Sequence, residues 1–127
     1  MKISQASKAS GLPVKTIRYY ESIGLFTSKR LANGYRVYSK DDVEQMHFLF
    51  HSRELGFSLE ECRDLLSLFR NPDRASKNVK AVANQRLELI DKQIEDLLTM
   101  KATLANLVKQ CPGNDDPDCV ILKELAK

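Results

Sequence analysis

The chain has 127 residues, 43% hydrophobic and 29% charged, with five Gly and four Pro, which fits one compact domain or a domain with an interaction arm and excludes collagen-like and disordered chains. No apolar run approaches the roughly 18 to 20 residues that span a bilayer, and Met1 to Gln5 lacks the apolar stretch of a secretory signal, so a cytoplasmic protein with no membrane partner is expected. The net charge of +3 conceals an asymmetry: residues 1 to 40 carry +7 with Glu21 as their one acid, and the remainder carries −4, so only the N-terminal third is suited to a polyanion.

Along the chain, Ser4 is expected to cap a first helix with Ile3, Ala6 and Ala9 on one face and Gly11 as its stop. Pro13 fits the first turn of a second helix reaching Ser22, and the two make a helix-turn-helix candidate. After Gly24, residues 25 to 33 show no helical period. Asn33-Gly34 signals a turn, and Tyr35 to Tyr38 has the β propensity of one arm of a small hairpin, a wing. Ser39 followed by Asp41 and Asp42 opens a third helix, from about Lys40 to Leu55. Ser58-Leu59-Glu60-Glu61 is a capping box for a fourth, ending at Phe69 or Arg70.

From Ser76 to about Gln110 there is no Gly or Pro. Val79, Ala83, Leu87, Ile90, Ile94, Leu97, Lys101, Leu104 and Val108 recur at spacings of four and three, a seam interrupted only by Lys101. A helix of that length runs ~50 Å, more than a four-helix domain needs, so the stripe is expected to meet a second copy in a coiled coil. Pro112, Gly113 and Pro117 then bracket a short loop, and Val120 to Ala126 reads as a last helix with Asp116 as cap and Pro117 at its first position. The expected division is residues 1–70 as the head, 71–110 as linker and long helix, and 111–127 as loop and terminal helix.

Lys15, Thr16, Arg18 and Tyr19 lie within one and a half turns of the second helix, where a recognition helix meets the major groove, and the wing adds Tyr35 and Arg36. The three cysteines, Cys62, Cys111 and Cys119, are an odd number in a chain without an export signal, which points to thiol or metal chemistry rather than a disulfide scaffold. The seven residues between Cys111 and Cys119 let both sulfurs converge on one atom. No His in the loop completes a tetrahedral zinc site, so two thiolates suit a soft, low-coordinate ion; a pair of free thiols and a loop disulfide are the other readings. Cys62 shares an apolar face with Leu59, Leu66 and Phe69 and reads as a buried structural thiol. His47 and His51, four apart on the third helix, have no evident third ligand and read as helix-surface or core residues. Nothing combines a nucleophile with a base, or cradles phosphate in a Gly loop, so no enzyme is expected.

The runs Thr16-Ile17-Arg18-Tyr19-Tyr20-Glu21, Gly24-Leu25, Asn33-Gly34-Tyr35-Arg36-Val37-Tyr38 and Leu55-Gly56-Phe57-Ser58-Leu59-Glu60-Glu61 resemble the MerR family of bacterial transcription regulators over nearly the whole chain. The stretch from Cys111-Pro112-Gly113 to Asp118-Cys119 resembles its copper-responsive, CueR-like branch. The resemblance implies an all-α fold with a small β wing, and a homodimer joined by an antiparallel coiled coil of long helices. It also implies binding to an inverted repeat in double-stranded promoter DNA shared with RNA polymerase, and activation by bending and untwisting that DNA. Carried over residue by residue, it implies DNA contacts at Lys15, Arg18, Tyr20, Tyr35 and Arg36. It makes Cys111 and Cys119 ligands of Cu(I), Ag(I) or Au(I), with Ser76 and Lys80 of the partner helix around the site. Relatives commonly carry a capping Ser or Thr where Pro13 stands, and some copper sensors carry a Cys- and His-containing tail beyond the position of Lys127. A thiol redox switch and a divalent-metal (zinc) sensor are the alternative functions.

Overall fold

A computed structural model describes residues 1–127. The order is α1 (Ile3–Ser10), α2 (Val14–Ser22), β1 (Lys29–Arg30), β2 (Arg36–Val37), α3 (Lys40–Glu54), α4 (Leu59–Arg70), α5 (Ser76–Gln110) and α6 (Val120–Leu125). The fold is all-α with one two-stranded antiparallel wing, pairing Lys29 with Val37 and Arg30 with Arg36. Two compact units divide the chain, Met1–Ala83 and Asn84–Lys127, and their boundary falls inside α5.

The first unit holds every buried residue of the chain. Ala6, Leu12, Ile17, Tyr20, Leu25, Phe26, Tyr38, Met46, Leu49, Cys62 and Leu66 form one core, drawn from α1 to α4 and from the segment that carries the wing. Cys62 is fully buried there, and its thiol faces the Phe57 carbonyl oxygen at 3.8 Å. Local chemistry sets the boundaries of α3 and α4. Ser39 and Ser58 each accept the backbone N–H three residues on, at 3.1 Å, and Asp42 and Glu61 each return the bond at 2.8 Å, so both helices open on a reciprocal capping box.

The turn between α1 and α2 is built from side chains. Ser7 Oγ donates to the Leu12 carbonyl at 2.6 Å, and the buried Ser10 Oγ accepts the Leu12 N–H at 3.2 Å. Gly11 between them has φ +90°, a conformation that strains any side chain, and a Cβ there would also lie 3.3 Å from the Phe50 ring and press on it. Helix α1 begins two residues earlier than a Ser4 cap would give, because Gln5 Oε1 accepts the Lys2 N–H at 3.0 Å and lets Ile3 start the helix. Pro13 precedes α2 in an extended conformation, φ −59° and ψ 149°, and accepts the first helical bond from Ile17 at 3.0 Å.

The second unit is ordered locally. Helix α5 runs its 35 residues without one buried side chain, and Leu87, Ile94, Leu97, Leu104 and Val108 of the seam are each half or more exposed. Helix α6 starts at Val120 as expected, but its cap position is Cys119, not Asp116, and Pro117 lies outside it. The reason lies in the loop: Asn114 Oδ1 accepts the Asp116 N–H at 2.9 Å and Asp116 Oδ1 accepts the Asp118 N–H at 3.1 Å, so the Asp116 carboxylate holds a turn instead of capping a helix. The Cys119 carbonyl then accepts the Lys123 N–H at 3.2 Å.

Candidate functional site

Helix α2 divides its side chains cleanly. Ile17 and Tyr20, three apart, enter the core, which turns Lys15, Arg18 and Tyr19 outward on the opposite side. Tyr20, expected among the DNA contacts, is therefore a correction: its ring is 6% exposed and packs with Ile17 and Leu25. Lys15 and Arg18 are exposed, and Tyr19 is 52% exposed.

The wing is a tight loop. The Leu31 N–H donates to the Tyr35 carbonyl at 2.7 Å, Gly34 at φ +87° returns a bond to Leu31 at 2.9 Å, and Asn33 Oδ1 accepts the Tyr35 N–H at 3.1 Å. Tyr35 projects from it at 72% exposure. Arg36 does not project. Its guanidinium forms an ion pair with the carboxylate of Glu21, which also accepts from the Ser28 and Tyr38 hydroxyls at 3.0 and 3.1 Å. Arg36, expected as a DNA contact, is thus engaged within the protein while its side chain stays 36% exposed. On the facing strand Lys29 and Arg30 are both exposed; sequence reasoning passed over them because only Tyr35 to Tyr38 carried β propensity, although two adjacent cations before a turn were a usable signal. A cleft of about 920 Å³ opens between α1, α2 and the wing, with Lys2, Arg18, Asn33 and Tyr35 on its walls.

The thiol pair lies in the second unit. Cys111 terminates α5, its N–H bonded to the Leu107 carbonyl at 3.1 Å, and Cys119 precedes the first residue of α6. The two sulfurs stand 3.7 Å apart, both free and both half-buried. With metal–sulfur bonds of about 2.3 Å, that separation suits a bent dithiolate, and opening it by under about 1 Å gives a linear one. No third His, Cys, Asp or Glu joins the pair in a metal-holding cluster. The donor set is therefore two soft thiolates, which fits a low-coordinate soft ion. The Cys119 thiol is held below its ordinary value, first by the Leu122 N–H, then by the Cys111 thiol and the Ile121 N–H, all of which stabilise a thiolate. Ser76 and Lys80 occupy the first turns of α5. His47 Nδ1 donates to the Ser10 carbonyl at 3.2 Å and its ring lies 4.4 Å from that of His51, so the pair ties α3 to α1.

Residues 1–68 match the family of MerR helix-turn-helix regulatory proteins, and residues 43–107 match its DNA-binding model. The chain belongs to the MerR family. A MerR-family chain of this kind is a transcriptional regulator and not an enzyme. It is 53% identical over 126 residues to the HTH-type transcriptional regulator HmrR of Rhizobium leguminosarum bv. viciae, covering 99% of this chain and 98% of that one. To the regulator CueR of Yersinia pestis it is 42% identical over 127 residues, covering 99% and 91%. Among solved structures it is similar to a transcription regulator from Ralstonia metallidurans in complex with lead(II), with a TM-score of 0.84, 26% identity and 98% of each chain covered. No helix of the MerR-family chain is long and apolar enough to cross a membrane.

Proposed function

We propose that this MerR-family regulator is a cytoplasmic homodimer that binds an inverted repeat in promoter DNA and is switched on by Cu(I), or by Ag(I) or Au(I), at Cys111 and Cys119. The observation that carries the reading is the pair of sulfurs 3.7 Å apart with no third ligand, in a chain 42% identical to a CueR. Two thiolates around a monovalent ion leave a net charge of −1, whereas a divalent ion leaves none, so positive potential around the loop favours the monovalent ion. Ser76 and Lys80 of the second copy, in the first turns of its α5, supply a helix N-terminus and a cation for that purpose.

The dimer follows from α5. An apolar seam, broken only at Lys101 and left half exposed along a 35-residue helix, is unusual for a monomer. Burying each large side chain against a second copy contributes about 1.5 to 3 kcal/mol, so five from each chain outweigh an association cost of roughly 4 to 15 kcal/mol. In the head, Lys15, Arg18 and Tyr19 meet the major groove, and Tyr35, Lys29 and Arg30 meet the backbone beside it. Metal binding changes the angle between the two heads and hence the DNA shape presented to RNA polymerase, which is control by deformation rather than by added contacts.

The second reading, a disulfide switch, rests on the same 3.7 Å separation. In vitro transcription with reduced protein separates the two. Cu(I) is expected to activate without oxidant, and both Cys111→Ser and Cys119→Ser are expected to lose that activation while keeping operator affinity within about tenfold. Activation by oxidant alone would favour the disulfide, and activation surviving in both variants would exclude these thiols as the sensor.

A further inference from the structure

Glu21 is the one acid among the first 40 residues, in the segment that otherwise carries eight cations. It stands in the last turn of α2, where the helix dipole disfavours a carboxylate, and its side chain is 7% exposed. A buried carboxylate at an unfavourable helix end persists only when donors compensate it. Three do, each from a different place: Ser28 just before β1, Arg36 in β2, and Tyr38 after β2, the last with its ring in the core at 2% exposure. The carboxylate thus joins the outgoing end of the recognition helix to both strands of the wing. The wing itself is only two residues per strand, too short to hold its own orientation.

We propose that Glu21 is a positioning residue for DNA recognition: it fixes the wing against α2 before DNA arrives, and Arg36 acts through Glu21 rather than on a phosphate. The proposal rests on the reading of the head as a DNA-binding unit. Held this way, Tyr35, Lys29 and Arg30 present themselves at a set distance from Lys15 and Arg18. Loosening the wing then costs specific binding, where both elements must engage at once, more than non-specific binding, which needs only charge.

The test is a double-mutant cycle in the full-length dimer on an inverted-repeat duplex selected with the unmodified protein from a random pool, beside a scrambled duplex. Glu21→Gln and Arg36→Gln are each expected to weaken the selected duplex roughly tenfold, with the double variant no weaker than either. The salt slope stays unchanged, and the scrambled duplex loses less than about threefold. Losses that multiply in the double variant, full affinity in either single variant, or a salt slope that falls by about one in Arg36→Gln alone would each overturn the proposal and return Arg36 to a phosphate. Equal losses on both duplexes would overturn it as well, marking a general weakening of the head. Should Glu21→Gln fail to fold by circular dichroism, Tyr38→Phe removes one of the three donors; it is expected to weaken the selected duplex about threefold at constant slope, and an unchanged affinity would overturn the proposal. Failure of the unmodified protein to select any duplex would instead strike the DNA-binding reading itself.

Discussion

The two units of this chain are ordered by different physics. Between Ala6 and Leu66 a single core draws on four helices and the wing segment, while the second unit, from Asn84 onward, buries no residue at all. In the head, the side chains proposed to meet DNA point outward because their helical neighbours point in: Ile17 and Tyr20 enter the core and so aim Lys15, Arg18 and Tyr19. In the second unit nothing behind Cys111 and Cys119 fixes them except the end of a helix, a short loop held by Asn114 and Asp116, and the start of another helix. A site backed by a core is ready alone, whereas a site held only by local bonds gains its surroundings from whatever covers the α5 seam.

Four outcomes test that contrast, beginning with the largest. Leu49→Ala, at a fully buried position of α3, is expected to destabilise the head by about 2 to 5 kcal/mol, read as a fall in the denaturant midpoint. A loss under about 1 kcal/mol would deny the core its role. Ile94→Lys, at a half-exposed position, is expected to dissociate the proposed dimer in sedimentation at micromolar concentration, since it puts charges into the apolar seam. An unshifted dimer would move the interface elsewhere.

The third outcome concerns the DNA face. Arg18→Ala is expected to weaken operator binding by roughly 1 to 3 kcal/mol, while removal of Lys29 or Arg30 lowers the salt slope by about one each with a uniform loss across sequences. Tyr20→Phe, by contrast, is expected to move stability rather than affinity, because the ring is in the core. The smallest effect is one of rate. Because the Leu122 N–H and the Cys111 thiol hold the Cys119 thiol below its ordinary value, Cys119 keeps its thiolate at pH values where an unperturbed cysteine has lost it. Iodoacetamide at neutral pH is therefore expected to label Cys119 well before the buried Cys62, with the rate falling only as pH drops through the lowered value. Equal rates at both would contradict it.

Much of this was legible beforehand, and for identifiable reasons. The boundaries of α3, α4 and α5 follow from capping boxes and the absence of Gly and Pro, both purely local signals, and the structure places α5 at Ser76–Gln110 as the spacing predicts. The caps of the first helix and the last depart from expectation where a side chain had two uses: Gln5 serves Lys2, and Asp116 serves its own turn. Tyr20 was misread because its residue type suits DNA and a family pattern does not say which way a side chain faces, and the pairing of Arg36 with Glu21 went unseen. Counting the 3.6-residue period from Ile17 would have placed Tyr20 inside. Arg36 could not be read that way, since its partner is fifteen residues earlier and meets it only when the wing folds back on α2. Glu21, as the one acid in a basic segment, was the clue.

The central claim, a soft ion held by two thiolates, is tested most directly by X-ray absorption at the copper edge on reduced, full-length protein loaded with one Cu(I) per chain. The account predicts two sulfur neighbours in one shell with no nitrogen or oxygen at bonding distance, and loss of that shell in Cys111→Ser. A third or fourth ligand in the shell, or tight Cu(I) binding that survives the loss of Cys111, would contradict it.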